Sequence, residues 1–102
     1  MAQEIDIDWP EFMTTEAAVV RIETWIVGNE LTSRLKTIAA AYPGSVHWHL
    51  VKPKVSGTLE LTIAPTKRRV WFALRSNRYA SWMDALPESL AESFKSSVPD
   101  AL

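Results

Sequence analysis

The sequence predicts an α+β domain. Its centre is a three-stranded antiparallel meander with helices packed on one face, an α-β-β-β-α core joined by an extra N-terminal strand. Three observations carry this. Residues 46–51, 58–63 and 69–75 each alternate between apolar and polar side chains, the period of a half-buried strand. The links between them are short, and one opens on Pro53 and the other contains Pro65, which suits hairpins. The segments on either side space their apolar residues as helices do.

The chain opens with Glu4, Asp6 and Asp8 alternating with Ile5, Ile7 and Trp9, the pattern of a strand that Pro10 ends. Residues 1–13 form an acidic N-terminal segment. Residues 17–27 read two ways. Thr14 or Thr15 could cap a helix with Ala18, Val19, Ile22, Trp25 and Ile26 on one face, whereas the β-branched density of the same stretch suits a strand. The helix is the preferred alternative. Past Gly28-Asn29 the helical phase fails, so a break there and a second helix over residues 30–42 are expected, stopped by Pro43-Gly44.

In the three strands, Val46, Trp48 and Leu50, Leu59, Leu61 and Ile63, and Val70, Phe72 and Leu74 form the inward sets. The hairpin lengths place Leu50 opposite Leu59, His49 opposite Glu60 and His47 opposite Thr62, with Trp71 beside Glu60 or Thr62. The run 79–94 is helical, with Tyr79, Trp82, Leu86, Leu90 and Phe94 in one stripe and Ser81 and Asp84 as a capping pair. Pro87 predicts a kink or two abutting helices. Residues 96–102 are expected to fray. One domain over residues 1–102 is expected, since this length supports an independent core.

Composition narrows the function classes. The chain is 47% hydrophobic and 23% charged, as soluble globular proteins are, and it has no cysteine. Disulfides, thiolate metal sites and cysteine nucleophiles are therefore excluded, and a cytoplasmic location is expected. The first residues lack the layout of a signal peptide, and no apolar run is long enough to span a membrane, so no membrane partner is expected.

The net charge of −1 conceals three blocks. Seven acids face Arg21 in residues 1–30; nine bases face Glu60 in residues 31–83; four acids face Lys95 thereafter. The basic block implies either an anionic partner or an acidic segment folded against it. If Asp6 and Asp8 pair with the basic strands, the asymmetry is satisfied internally and a nucleic-acid partner loses support.

The outward positions of the meander define the candidate binding surface: His47, His49, Glu60, Thr62, Arg69, Trp71 and Arg75, with Lys67 and Arg68 at the hairpin tip and Arg78 beyond. Trp71 is expected either to be an exposed interface aromatic or to lie beneath the N-terminal strand. Trp9 or Trp25 is a second candidate for exposure, while Trp48 and Trp82 face inward. His47, His49 and Glu60 could supply three metal ligands, but neighbouring bases oppose a cation. A cross-strand His49–Glu60 pair is the more ordinary reading, and neither metal nor cofactor is expected.

No phosphate loop, nucleophile elbow or oriented triad is recognisable, so no catalytic residue is assigned. The expected function is a non-enzymatic interaction module that binds a protein partner or a second copy of itself through the open face and basic hairpin. Binding of RNA or DNA by the same surface is the alternative.

Overall fold

Alternation along the central strands sets the register of the sheet. In the computed structural model, which describes residues 2–37 and 44–96, β3 (Val46–Val51) pairs with β4 (Leu59–Ala64) so that Leu50 faces Leu59, His49 faces Glu60 and His47 faces Thr62. These are the predicted partners. β5 (Arg69–Arg75) returns beside β4 with Thr62 opposite Trp71, and β1 (Ala2–Ile7) lies antiparallel along the outer edge of β5.

Among the described residues the sheet has five strands, because residues 30–37 do not begin the expected helix. Instead β2 (Thr32–Thr37) pairs antiparallel with β3, and the order is β1-β5-β4-β3-β2. The register of β2 shifts between Ser33 and Leu35. This bulge inserts one residue into β2, and with Leu35 the only apolar residue of Thr32–Thr37 the strand shows no alternation; the spacing of Leu31 and Leu35 fits a helix as well as a strand. Residues 38–43 lie outside the described residues.

The ambiguity over residues 17–27 resolves to helix. α1 (Thr15–Gly28) starts at Thr14, whose hydroxyl accepts from the Ala17 amide at 3.1 Å, and ends at Asn29. Ala18, Ile22, Trp25 and Ile26 are buried, the face read from the sequence. Trp25 is therefore a core residue and not an exposed aromatic. Its indole N–H donates to Ser89 Oγ at 3.0 Å, and its ring meets Phe72 edge-on with centroids 5.8 Å apart.

The C-terminal run is two abutting helices, as Pro87 requires. A 3-10 turn at Ser81–Met83 precedes α2 (Leu86–Ser96), and Pro87 occupies the first turn of α2, where its missing N–H costs nothing. Leu86, Leu90 and Phe94 are buried, but Met83 takes the inward position and Tyr79 is exposed. Ser81 and Asp84 make no side-chain cap; Asp84 accepts instead from the Tyr79 hydroxyl. Residues 97–102, where fraying is expected, lie outside the described residues.

Both helices pack on the face formed by Ile7, Trp48, Leu50, Leu59, Leu61, Ile63, Val70 and Phe72. The opposite face carries Glu4 and Asp6 on β1, Arg69, Trp71, Ala73 and Arg75 on β5, Glu60 and Thr62 on β4, and His47 and His49 on β3. No described helix is long and apolar enough to cross a membrane.

Candidate functional site

The face of the sheet opposite α1 and α2 brings together seven of the ten candidate residues: His47, His49, Glu60, Thr62, Arg69, Trp71 and Arg75. Side-chain parity places them there, since each occupies an outward position opposite an outward neighbour on the next strand. The central strand is the least exposed. Glu60 is 6% and Thr62 5% exposed, although α1 and α2 pack on the other face. Large side chains of the flanking strands cover them instead.

Glu60 is the electrostatic centre. Arg75 donates to it from Nε at 2.6 Å to Oε2 and from a terminal nitrogen at 3.3 Å to Oε1. The partner read from the sequence was His49, directly opposite, but the closer imidazole is that of His47, whose Nε2 lies 3.6 Å from Oε1. Burial by itself would raise the Glu60 carboxyl. The Arg75 hydrogen bonds and charge, helped by His47 and His49, overcome it and hold the group below its ordinary value. The His47 imidazole is also held low, first by burial and then by His49, with Glu60 opposing. His47 Nδ1 shares a 2.6 Å hydrogen bond with the Thr62 hydroxyl, and its ring meets that of His49 at 4.8 Å between centroids.

The second cluster joins β1 to β5. Arg69 donates from Nε to Asp6 at 2.6 Å and from a terminal nitrogen to Glu4 at 3.0 Å. The hydrogen bond to Asp6, then that to Glu4, raises the Arg69 pKa. Its guanidinium lies over the Trp71 ring, 4.2 Å from the centroid. Trp71 is 8% exposed. It is thus neither an open stacking platform nor covered by the N-terminal strand, which runs beside β5 and not across it. The arginine two residues before it lies over the ring.

Three candidates lie off this face. Arg68, at the β4–β5 turn, has left-handed backbone with φ 46°. Its guanidinium donates to the carbonyls of Pro10 at 2.7 Å, Glu11 at 3.2 Å and Met13 at 3.3 Å, and covers Trp9 at 4.7 Å. That arginine holds the segment after β1 in place. Lys67 and Arg78 are exposed. The acidic start does neutralise a basic strand, through Glu4 and Asp6, with Asp6 one of the two residues expected.

No pattern in the residues singled out Gly57. It has φ 111°, and a Cβ there would meet Met83 Cε at 2.8 Å and Ala80 Cβ at 3.0 Å, so the β3–β4 loop packs closely on the turn before α2. A groove between β1, β5 and that turn is lined by apolar Ile5, Leu74, Met83 and Pro87 and by polar Gln3, Ser76, Tyr79 and Asp84, with the Tyr79 hydroxyl donating to Asp84. Among the described residues, His47, His49 and Glu60 are the cluster whose donor atoms converge, all within 4.8 Å of one another. Comparison with protein-family models, curated proteins and solved structures finds no match to this chain.

Proposed function

We propose that the chain is a non-enzymatic interaction module that meets a protein surface through the face of its sheet opposite α1 and α2. The observation that supports this most is the charge pattern of the face. Three carboxylates (Glu4, Asp6, Glu60) stand against two guanidiniums (Arg69, Arg75), in alternating rows along β1, β5 and β4, and the two arginines are ion-paired to them. A near-neutral face carrying both signs suits a protein better than a polyanion.

A second copy of the chain is the protein surface the pattern favours. A twofold interface must complement itself, and rows of opposite sign side by side allow that after rotation. Beneath the pattern lies Trp71 with Arg69 over it, the residue types enriched at interface centres. The pairs holding Arg69 are exposed, each worth less than about 1 kcal/mol, so an incoming surface can displace the guanidinium at little cost.

RNA or DNA binding is the runner-up. Exposed Lys67 and Arg78 favour it, with Lys52 and Lys54 in the β3–β4 loop. It has less support because Arg68 is spent on backbone carbonyls and Arg69 and Arg75 on carboxylates. The deciding experiment is sedimentation of the full chain over a wide concentration range, beside tryptophan fluorescence during titration with mixed-sequence RNA and DNA. Reversible self-association that persists in moderate salt is expected. A saturable fluorescence change that collapses with salt, without self-association, would replace this reading with the runner-up.

A further inference from the structure

Two imidazoles and a carboxylate converge on the open face, and their arrangement goes beyond what an interaction surface needs. The i, i+2 spacing on β3 puts both rings on one side of the sheet, and the register sets Glu60 opposite His49 on the adjoining strand. From this geometry we propose that His47, His49 and Glu60 bind one divalent transition-metal ion of the zinc class. The donors are Nε2 of His47, a ring nitrogen of His49 and Oε1 of Glu60, with a fourth position open to water.

Distances support a site close to assembly. In a tetrahedral zinc site with bonds of about 2.0–2.1 Å, donor atoms stand about 3.3 Å apart. His47 Nε2 and Glu60 Oε1 are already 3.6 Å apart, and all three donors lie within 4.8 Å. The donors stand within about 1.5 Å of coordination spacing, a gap of the size that side-chain rotation spans.

The groups behind the donors are those that orient metal ligands. The Thr62 oxygen can accept from Nδ1–H of His47, and in that tautomer the lone pair stands on Nε2, on the side of Glu60. Arg75 grips Oε2 of Glu60 most closely, leaving Oε1 turned toward the imidazole. The ion displaces no proton from this tautomer. It replaces the weak Nε2–Oε1 contact with two coordinate bonds.

The same arginine limits affinity. It cancels the carboxylate charge, so the ion enters a site with no net negative charge and is held by two imidazoles and one shared carboxylate. Such a donor set selects zinc, cobalt, nickel or copper over magnesium and calcium, which favour all-oxygen sites. The expected strength is that of a modest, reversible site.

His47 and His49 are the only histidines in the chain, so the ring proton NMR signals report this site without background. The experiment is titration of the full chain with zinc chloride, followed on both rings, with magnesium chloride as control. Both rings are expected to shift together and saturate at one ion per chain, with no response to magnesium. His49→Ala should weaken binding about tenfold or more while the amide spectrum stays folded, since the Thr62 hydrogen bond and the contact with Glu60 belong to His47. Thr62→Val should weaken it about tenfold without changing the stoichiometry, as loss of an orienting partner does. A shift confined to one ring, no saturation, or wild-type binding by His49→Ala would overturn the proposal.

Discussion

Arg75 Nε donates to Glu60 Oε2 at 2.6 Å, tying β5 diagonally to β4 across the open face. The carboxylate is almost fully buried, whereas the Arg75 side chain is 49% exposed. Removing the partner of a buried charge costs about 3–5 kcal/mol when both are buried; half-exposure of the arginine lowers the expectation to about 1–2 kcal/mol for Arg75→Met. The double variant Glu60→Leu/Arg75→Met should recover much of the loss, because no lone charge remains. Urea denaturation of the two single variants and the double variant closes that cycle.

Acid should destabilise the metal-free chain in two stages. The His47 imidazole is held below its ordinary 6.5 by burial first, so the unfolded chain takes the proton more readily than the folded one. Its contribution is complete above 6.5 and is lost as pH falls from there through the lower folded value. Glu60, held below its ordinary 4.5 by Arg75 against the effect of burial, contributes above 4.5 and is lost as pH falls through its own folded value. Both slopes have the same sign. Urea midpoints measured across pH with a chelator present should therefore fall below 6.5 and again below 4.5, and His47→Gln should remove the first fall alone.

Arg69→Ala should change accessibility more than stability. Its ion pairs with Glu4 and Asp6 are exposed and worth less than about 1 kcal/mol each, and its cation–π contact adds about 0.5–1 kcal/mol. Taking the guanidinium off the Trp71 ring admits solvent to an indole that is otherwise buried. Acrylamide quenching should increase and emission should move to the red, while the urea midpoint moves little. An unchanged quenching constant would mean that other neighbours, not Arg69, cover the ring.

Gly57→Ala should destabilise the fold by about 1–3 kcal/mol. Its φ of 111° disfavours any side chain, and the new methyl would press on Met83, which is fully buried. Met83→Ala in the same background should relieve the overlap with Met83 alone, leaving the backbone strain and the close approach to Ala80 and the Arg78 carbonyl; because Met83→Ala has a cavity cost of its own, thermal unfolding of both single variants and the double variant separates the contributions.

The central meander was legible because its faces alternate cleanly and its hairpins fix the register; the observed His47–Thr62 and His49–Glu60 partners follow from that alone. α1 was half legible. The Thr14 cap and the stop at Gly28 were visible in the residues, while Val19, Val20 and Ile22 argued for a strand. β2 was misread because Leu35 is its only apolar residue, so no alternation marks the strand, and the spacing of Leu31 and Leu35 fits a helix equally well. At the site, parity alone identified the face. Which imidazole approaches Glu60, and that Arg69 lies on Trp71, depend on how long side chains lean across neighbouring strands. Sequence order does not encode that lean.

The most direct test of the open face as the functional surface is the two-dimensional amide and indole NMR spectrum recorded as chain concentration rises. Concentration-dependent shifts should gather at His47, His49, Glu60, Thr62, Arg69 and the Trp71 indole, and spare the outer face of α1 around Val20 and Val27. A spectrum independent of concentration, or shifts gathered on α1, would contradict the account.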